Sequence, residues 1–250
     1  TSSDGSVAAR LVDDLEDEDT NVRRRAADAL TKLGPRALPA VPALIKALDD
    51  RRDEIFRFKV ADALGSIGLE AIPALVQALE DEKTDVSRIA IAFAKMGSQA
   101  VPALIQAQQS SNPNVRYAAS LAFSRLGPDA SQAVPVLIGA LKDEHATLRY
   151  QAAIALGDIV EEAAAAVPAL IETLQDGSTI PGQGHLVRRA VASALGDIGP
   201  EARTAVPALI KSLEEWGIQD RGSATTALSE IGPDAIPELV KALRHRDEDV

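Results

Sequence analysis

The sequence predicts an all-α protein of stacked helical hairpins. Three observations predict it: the composition of the apolar residues, the return of one short motif, and the positions of glycine and proline around that motif. Of the 250 residues, 46% are hydrophobic but only 3% are aromatic, and there is no Cys, one Met and one Trp. The core must therefore be built from Ala, Leu, Val and Ile, which suit close helix packing better than an aromatic-rich sandwich or barrel.

A proline motif marks the first helix of each repeat. The string AVPALI, or a close relative, returns seven times, with spacings of 31, 29, 33, 33, 39 and 30 residues. Its prolines are Pro42, Pro73, Pro102, Pro135, Pro168, Pro207 and Pro237. Proline is tolerated in the opening turn of a helix, where its missing N–H would have no partner anyway. We therefore expect each motif to begin a helix.

A second block in each unit predicts a second helix. It reads VRRRAADALTKLG at 22–34, VRYAASLAFSRLG at 115–127 and VRRAVASALGDIG at 187–199, with Ala and larger aliphatic residues at helical spacings. Glycine stands where a left-handed C-cap would end this helix. These closing glycines are Gly34, Gly68, Gly97, Gly127, Gly199 and Gly232, and Val160 takes the same place in one unit.

Each unit is therefore expected to be a helical hairpin with apolar surface on both sides. Because one hairpin cannot bury that surface alone, the hairpins must stack into a right-handed superhelical solenoid with a convex and a concave face. We expect one domain, 1–250, of seven to eight hairpins. The units are 6–34, 35–68, 69–97, 98–127, 128–160, 161–199, 200–232 and an incomplete 233–250.

The blocks G-P-x-A, AVPALIxAL and VRxxAAxALGxIG closely resemble the short HEAT-like repeats of the phycobilisome-lyase type. The resemblance covers nearly the whole chain. It implies an armadillo-like α solenoid, and the family includes scaffolds, bilin lyases and phycobilisome-degradation factors. The resemblance therefore predicts the fold far more narrowly than the function.

An arginine recurs eleven residues before the closing residue of most units. These ladder arginines are Arg23, Arg57, Arg116, Arg149, Arg188 and Arg221, while the third unit has Val86 there and an Arg88 displaced by two. Asp19, Asp53 and Asn112 stand four residues earlier, so we expect the arginines to form hydrogen-bonded ties between adjacent repeats at the inter-helix turn. A phosphate-binding ladder is the alternative, which the acidic net charge weakens.

The charge and the missing cysteines exclude several functions. A formal net charge of −11 argues against a general nucleic-acid or anionic-membrane binder and favours a basic or neutral partner. Without Cys the chain has no disulfide, thiolate zinc site or cysteine nucleophile. His145, His185 and His245 lie in different repeats and lack the His-Glu pairs of the HEAT-like deoxyhypusine hydroxylases. We therefore expect no metal, no cofactor and no catalytic residue.

The rare aromatic residues provide the best functional lead, because most belong to the second helices of central units. Counting from the ladder arginines, the next position and the position four residues later lie on one helical stripe whose character changes along the chain. We hypothesise that an apolar strip in the concave groove binds a protein or peptide. Its members are Phe58, Tyr117, Leu121, Tyr150 and Ile154, with a rim of Arg24, Asp28, Lys59, Asp62, Arg189 and Asp197. The alternative is that these residues belong to the core between repeats.

Two segments and the chain ends complete the sequence reading. The loop 176–184 lengthens one unit and is either a tolerated insertion or a binding edge, and Trp216 stands in a hairpin turn. The polar start at Thr1 and a last unit cut at Val250 indicate a processed or partial chain. No apolar run reaches the roughly 20 residues that a membrane helix needs, so we expect a soluble, cytoplasmic protein.

Three functions remain open at the level of sequence. The first is a non-enzymatic scaffold whose concave face binds a protein or peptide. The second, which the resemblance implies, is a bilin lyase or another phycobilisome-associated factor that handles a tetrapyrrole. The third is a structural or regulatory segment of a larger protein.

Overall fold

The computed structural model describes residues 2–81, 84–175, 184–215 and 218–241, and these residues form helices joined by short turns, with no strand among them. The all-α fold class predicted from the sequence is confirmed. The first helices of the hairpins are α1 (Ser2–Asp14), α3 (Val41–Ala47), α5 (Ile72–Ala78), α7 (Val101–Ala107), α9 (Val134–Ala140), α11 (Val167–Gln175) and α13 (Val206–Glu215). The second helices are α2 (Thr20–Leu33), α4 (Glu54–Ile67), α6 (Val86–Lys95), α8 (Pro113–Leu126), α10 (Ala146–Ile159), α12 (Gly184–Ile198) and α14 (Ile218–Ile231).

The motif proline lies at the start of the first helix, as predicted. In α3, α5, α7 and α9 it occupies the first or second helical position. A 3₁₀ segment precedes each of the seven motif prolines, so the stretch between the two helices of successive hairpins is itself helical. These segments are Gly34–Ala40, Leu69–Ala71, Gly97–Ala100, Gly127–Ala133, Val160–Ala166, Gly199–Ala205 and Gly232–Ala235.

The closing residues have the positive φ that the sequence predicted, but not a left-handed helical conformation. Gly34 has φ 58° and ψ −132°, and Gly68 has φ 93° and ψ −159°. This region of backbone space belongs almost entirely to glycine. Val160 adopts it as well, with φ 64° and ψ −124°. A β-branched residue is strained in this conformation.

The chain divides into two compact units, Thr1–Ala122 and Phe123–Val250. In the first unit α2 packs on α4 and α4 on α6, while in the second unit α10 packs on α12 and α12 on α14. Leu30, Leu64 and Phe93 are fully buried in the first unit. Leu156 and Leu195 are fully buried in the second. Each unit therefore has its own aliphatic core, built largely on the second helices.

Glycine inside the second helices allows neighbouring helices to approach closely. A Cβ added to Gly196 would lie 2.9 Å from the Cα of Ala227 on α14, and one added to Gly157 would lie 3.1 Å from the Cα of Ala194 on α12. In the first unit, a Cβ on Gly65 would lie 3.1 Å from the carbonyl oxygen of Ala92. The second helices thus pack with little side-chain volume between their backbones at these points.

No single helix among the described residues is long and apolar enough to cross a membrane. One pair of helical stretches, Glu54–Ile67 and Leu69–Ala78, passes the same test only when the two are combined, and they meet at a bend of 108°.

Candidate functional site

Three of the ladder arginines hold the turn that precedes their own helix. In each case Nη1 donates to the carbonyl oxygens six and five residues earlier in the chain. The distances are 2.8 and 3.1 Å for Arg23, 3.0 and 3.0 Å for Arg116, and 2.8 and 3.1 Å for Arg149. These arginines satisfy backbone carbonyls that the tight turn leaves without helical partners.

Arg23 also connects two repeats. Its Nε lies 3.4 Å from Oδ2 of Asp50, in the next inter-helix turn, and its guanidinium lies 5.5 Å from the centre of the Phe56 ring. Asp50 accepts a bidentate pair of 2.8 Å hydrogen bonds from Arg52. Hydrogen bonding to Arg52, aided by the Arg23 charge, lowers the pKa of Asp50 to about 2. A buried charged group therefore links the first and second repeats.

The third repeat differs because its second helix is shorter. α6 has 10 residues, whereas α2, α4, α8 and α10 have 14 each. The ladder position therefore falls on Val86, the first helical residue, and Arg88 takes another role. Its guanidinium pairs with Glu54 of the preceding repeat and lies 3.9 Å from the centre of the Phe58 ring. Arg57 in turn bonds Asp85 at 3.1 Å.

The three residues expected to partner the ladder arginines cap helices instead. Asp19 accepts from the backbone N–H of Asn21, Asp53 from that of Phe56, and Asn112 from that of Asn114. These bonds satisfy donors at the helix N-termini. The remaining ladder members differ in exposure, since Arg188 is half-buried and Arg221 is exposed.

The stripe next to the ladder lies on the surface in both units. Phe58 is 45% exposed and Tyr150 is 37% exposed. Arg189 and Asp197 are also exposed. The other predicted members are half-buried: Arg24, Asp28, Lys59, Asp62, Tyr117, Leu121 and Ile154. None of these residues is buried in the core between repeats.

The predicted members of this stripe are divided between the two units. Phe58, Tyr117 and Leu121 belong to the first unit, while Tyr150 and Ile154 belong to the second. In the second unit Tyr150 and Ile154 lie one turn apart on α10. A single continuous groove through all five residues stays a prediction. The loop 176–183, Trp216 and the last residues, 242–250, lie outside the described residues.

In the first unit, the exposed face of the second helices carries ion pairs between repeats. Arg24 binds both oxygens of Asp53 at 2.8 Å, which lowers the pKa of that carboxyl. Lys59 pairs with Asp28 at 2.6 Å. Lys95 pairs with Asp62 at 3.0 Å. The rim carboxylates of this unit therefore have basic partners within the protein.

In the second unit, three carboxylates stand one above another on α10, α12 and α14. We call Asp158, Asp197 and Glu230 the carboxylate column. Partial desolvation against the preceding helix and the charge of Asp158 raise the pKa of Asp197, although Ser193 donates a hydrogen bond to it. Partial desolvation and the charge of Asp197 raise the pKa of Glu230. The charges of Asp158 and Asp197 therefore each act on the carboxylate of the next repeat.

Glycine positions this column. A Cβ on Gly157 would lie 2.8 Å from Oδ2 of Asp197, so the carboxylate rests over the backbone of the preceding helix. Glu230 lies over Gly196 in the same way. Asp158 accepts a hydrogen bond from the hydroxyl of Ser124. No Lys or Arg forms an ion pair with these three carboxylates among the residues that the structure describes.

Sequence reasoning found only one member of the column. Asp197 was expected in the groove rim, but Asp158 and Glu230 were missed. A signal was present, because each column residue stands two places before its closing residue, Val160, Gly199 or Gly232. At this seat position the earlier repeats carry Lys32, Ser66, Lys95 and Arg125.

Comparison with known families assigns nearly the whole chain to repeats. A family model described as HEAT repeats matches residues 8–94 and 101–181. A model described as PBS lyase HEAT-like repeat matches residues 187–215 and 220–245. No curated protein sequence gives a significant match to this chain.

Solved structures with a similar fold are helical-repeat proteins and engineered proteins. An engineered protein from the Northeast Structural Genomics Consortium has 26% sequence identity and a TM-score of 0.53, with 95% of this chain and 72% of that chain covered. Kap121p bound to Pho4p has 15% identity and a TM-score of 0.57, and the match covers 95% of this chain but 35% of Kap121p. The complex of CpcE and CpcF of phycocyanin lyase from Nostoc sp. PCC7120 has 24% identity and a TM-score of 0.40, with 97% and 94% covered.

Proposed function

The chain belongs to the HEAT-repeat family, and from that premise we propose that it is a non-enzymatic scaffold that binds a protein or peptide across the exposed face of its second helices. We place this face on the concave side of the stack. The close backbone approach at Gly157 and Gly196 supports that placement for the second unit, because helices that approach closely on one side of a stack curve it toward that side.

Exposed aromatic side chains are the observation that carries this proposal. Only 3% of the residues are aromatic, yet Phe58 and Tyr150 are both partly exposed, and each directly follows a ladder arginine. Aromatic anchors dominate the binding energy of many protein interfaces, where they fill pockets of the partner. The exposed part of each ring contributes little to folding, so we infer that Phe58 in the first unit and Tyr150 in the second are available to contact a partner.

The charged neighbours support recognition of a polypeptide. Arg24, Asp28, Lys59 and Asp62 lie on α2 and α4, and their ion pairs fix charges of both signs on the helices next to and including that of Phe58. A rim of this kind gives orientation and specificity, while the apolar anchors give affinity. The first-unit part of the face therefore suits a partner of mixed or neutral charge.

A library experiment tests the proposal. The immobilised protein is panned against a phage-displayed library of random peptides, and the selected peptides are retested on a Phe58→Ser, Tyr150→Ser variant. We expect peptides to be selected and their binding to fall at least about tenfold on this variant, as for the loss of one or two aromatic anchors. A Leu38→Ser, Leu69→Ser variant, which changes two side chains of similar exposure in 3₁₀ segments, should bind as the unchanged protein does.

Melting temperatures of the variants distinguish the loss of a binding contact from the loss of the fold. The Phe58→Ser, Tyr150→Ser variant should melt within a few degrees of the unchanged protein, because neither side chain is buried. If no peptide is enriched, or if the selected peptides bind the variant equally well, the scaffold proposal fails. A large loss of stability would instead assign the two aromatic residues to the core and would also contradict it.

A second candidate function, tetrapyrrole handling, is favoured by the match of residues 187–215 and 220–245 to the phycobilisome-lyase type of repeat. Arg189 is exposed on α12 and is available to a propionate. Mixing the purified protein with a linear tetrapyrrole and recording the visible spectrum tests this function. A shifted and intensified absorption band at micromolar protein supports it, and an unchanged spectrum contradicts it.

A further inference from the structure

The exposed face of α10, α12 and α14 has a composition that the proposed scaffold function does not by itself explain. Each helix presents a stripe at intervals of four residues: Tyr150, Ile154 and Asp158 on α10, and Arg189, Ser193 and Asp197 on α12. On α14 the stripe is Gly222, Thr226 and Glu230. An apolar pair thus lies beside a column of three carboxylates within one compact unit.

The carboxylate column has no compensating cations from the described part of its own unit. Lys32, Lys95 and Arg125 show that the seat position accepts a basic side chain in other repeats. In the first unit the rim carboxylates Asp28 and Asp62 each have a lysine partner from the next repeat. Among the described residues, Arg125, at the seat position on the last turn of α8, and Arg189, two turns before Asp197 on α12, form no ion pair with the column.

The geometry keeps the like charges together. Because Gly157 and Gly196 lack a Cβ, the carboxylates of Asp197 and Glu230 lie against the backbone of the preceding helix. A larger residue at either glycine would displace them. Three carboxylates are thus held in a row where a relaxed surface would let them separate.

On the basis of the proposed scaffold function, we propose that the carboxylate column binds a basic, extended peptide segment of a partner protein, with its lysine or arginine side chains on Asp158, Asp197 and Glu230 and an apolar side chain on Tyr150 and Ile154. Charge complementarity selects this occupant, because lysine and arginine would supply cations that the described part of the unit does not place on the column. Packed helices lie about 8–10 Å apart, and three extended residues span about 10 Å. A basic residue at every third position therefore matches the repeat of the column.

A peptide of that design tests the proposal directly. The probe is a fluorescein-labelled peptide of repeated Lys-Gly-Gly units with one terminal Phe, and its binding to the full chain is measured by fluorescence anisotropy. A peptide with Glu in place of each Lys is the charge control. We expect the Lys peptide to bind, the Glu peptide not to bind, and the affinity to fall as salt is raised.

Variants localise the binding. The Asp158→Asn, Asp197→Asn, Glu230→Gln variant should lose about tenfold or more in affinity, the sum of three partly exposed ion pairs. An Asp28→Asn, Asp62→Asn variant removes two carboxylates from the first unit and should bind within about twofold of the unchanged protein. Tyr150→Ser should weaken the peptide with terminal Phe but not a peptide that lacks it.

Each result has a defined meaning. Equal binding by the unchanged protein and the triple variant, or equal loss in the Asp28→Asn, Asp62→Asn variant, overturns the proposal, because the net charge of the chain would then explain the binding. A triple variant that melts early is replaced by Asp197→Asn alone, which must still weaken the Lys peptide. If the random library selects peptides that need Phe58 and Tyr150 while the Lys peptide does not bind, the scaffold function stands and the basic occupant is wrong.

Discussion

The exposed faces of the second helices differ in charge between the two units, although they are built from the same repeat. In the first unit Lys95 takes the seat position, rests over Gly65 and neutralises Asp62. In the second unit Asp197 takes the same position over Gly157, and its described neighbours are the carboxylates of Asp158 and Glu230 and the hydroxyl of Ser193. One backbone arrangement thus gives a self-compensated surface in one unit and an acidic surface in the other.

This difference separates positions that specify the fold from positions that are free for binding. The motif proline, the buried leucines and the closing glycines recur because each is required to form or pack a hairpin. The seat position tolerates Lys, Ser, Arg, Asp and Glu, so packing does not determine its identity. A position that varies in charge while its backbone setting stays constant is where a repeat protein can acquire a partner.

The largest effect on stability is expected in the first unit, where the carboxylates have basic partners. Asp53→Ala removes the bidentate partner of Arg24 and the N-cap of α4, and the carboxylate is buried. We expect the free energy of unfolding to fall by about 2–3 kcal/mol, since the capping bond is lost and a partly buried guanidinium is left without its partner. Urea unfolding monitored by circular dichroism measures it. The matched control Asp62→Ala, which breaks an exposed pair, should cost less than about 1 kcal/mol, and a similar loss from both variants would contradict the distinction.

Acid should weaken the first unit through Asp50. Its pKa is lowered to about 2 from an ordinary value of 3.8, so its charge stabilises the folded state above pH 4, and that stabilisation is lost as the pH falls toward 2. The shift corresponds to about 2 kcal/mol. Asp50→Asn should therefore lower the free energy of unfolding by about this amount at neutral pH and by much less near pH 2. A difference between the two proteins that does not change over this range would show that Asp50 does not act through its charge.

The closing residues offer a second contrast, because Val160 in the second unit adopts a conformation that Gly34 and Gly68 adopt in the first. Val160→Gly should raise the free energy of unfolding by about 1 kcal/mol, since release of backbone strain exceeds the loss of a half-exposed side chain. Differential scanning calorimetry measures the change. Gly199→Ala is the reverse test: its added Cβ has nothing within 4 Å, so any loss of stability is due to the backbone alone. A less stable Val160→Gly protein would be incompatible with a strained Val160.

The smallest predicted effect concerns the carboxylate column itself. Asp197→Asn should stabilise the protein by about 0.5 kcal/mol or less at neutral pH, because it removes repulsion from Asp158 and Glu230 and keeps an acceptor for Ser193. The raised pKa of Asp197 means that the unchanged protein loses stability as the pH rises from about 4 through that pKa. The advantage of the variant should therefore disappear below pH 4. A destabilised variant at neutral pH would indicate that the column is compensated after all.

Much of the fold could be predicted from the sequence, because the residues that begin, pack and end each helix recur in every repeat or nearly every repeat. Seven prolines mark the start of a first helix, six glycines mark the end of a second helix, and the positive φ at Gly34 and Gly68 follows from residue type. The shorter length of α6 could not be predicted. Counting back from Gly97 gives Val86, but the missing turn lies at the start of the helix, where no motif marks the boundary.

The candidate site was only partly accessible to the same reasoning. Composition along the stripe correctly indicated surface positions such as Phe58 and Tyr150. Pairing could not be derived, because the bond from Arg24 to Asp53 and the role of Asp53 as a cap depend on the rotation of adjacent helices. Asp158 and Glu230 were missed because the sequence predicts a solvated surface position for an isolated acidic residue near a helix end. Their interaction with Asp197 of the adjacent repeat depends on how the helices pack.

The most direct test of the account is hydrogen exchange of the full chain, followed by mass spectrometry, with and without the Lys-Gly-Gly peptide. We expect slower exchange in segments from α10, α12 and α14, no change in α2 and α4, and much weaker protection in the Asp158→Asn, Asp197→Asn, Glu230→Gln variant at the same peptide concentration. Protection of α2 and α4, or undiminished protection of α10, α12 and α14 in this variant, would contradict the claim that the carboxylate column of the second unit binds a basic partner.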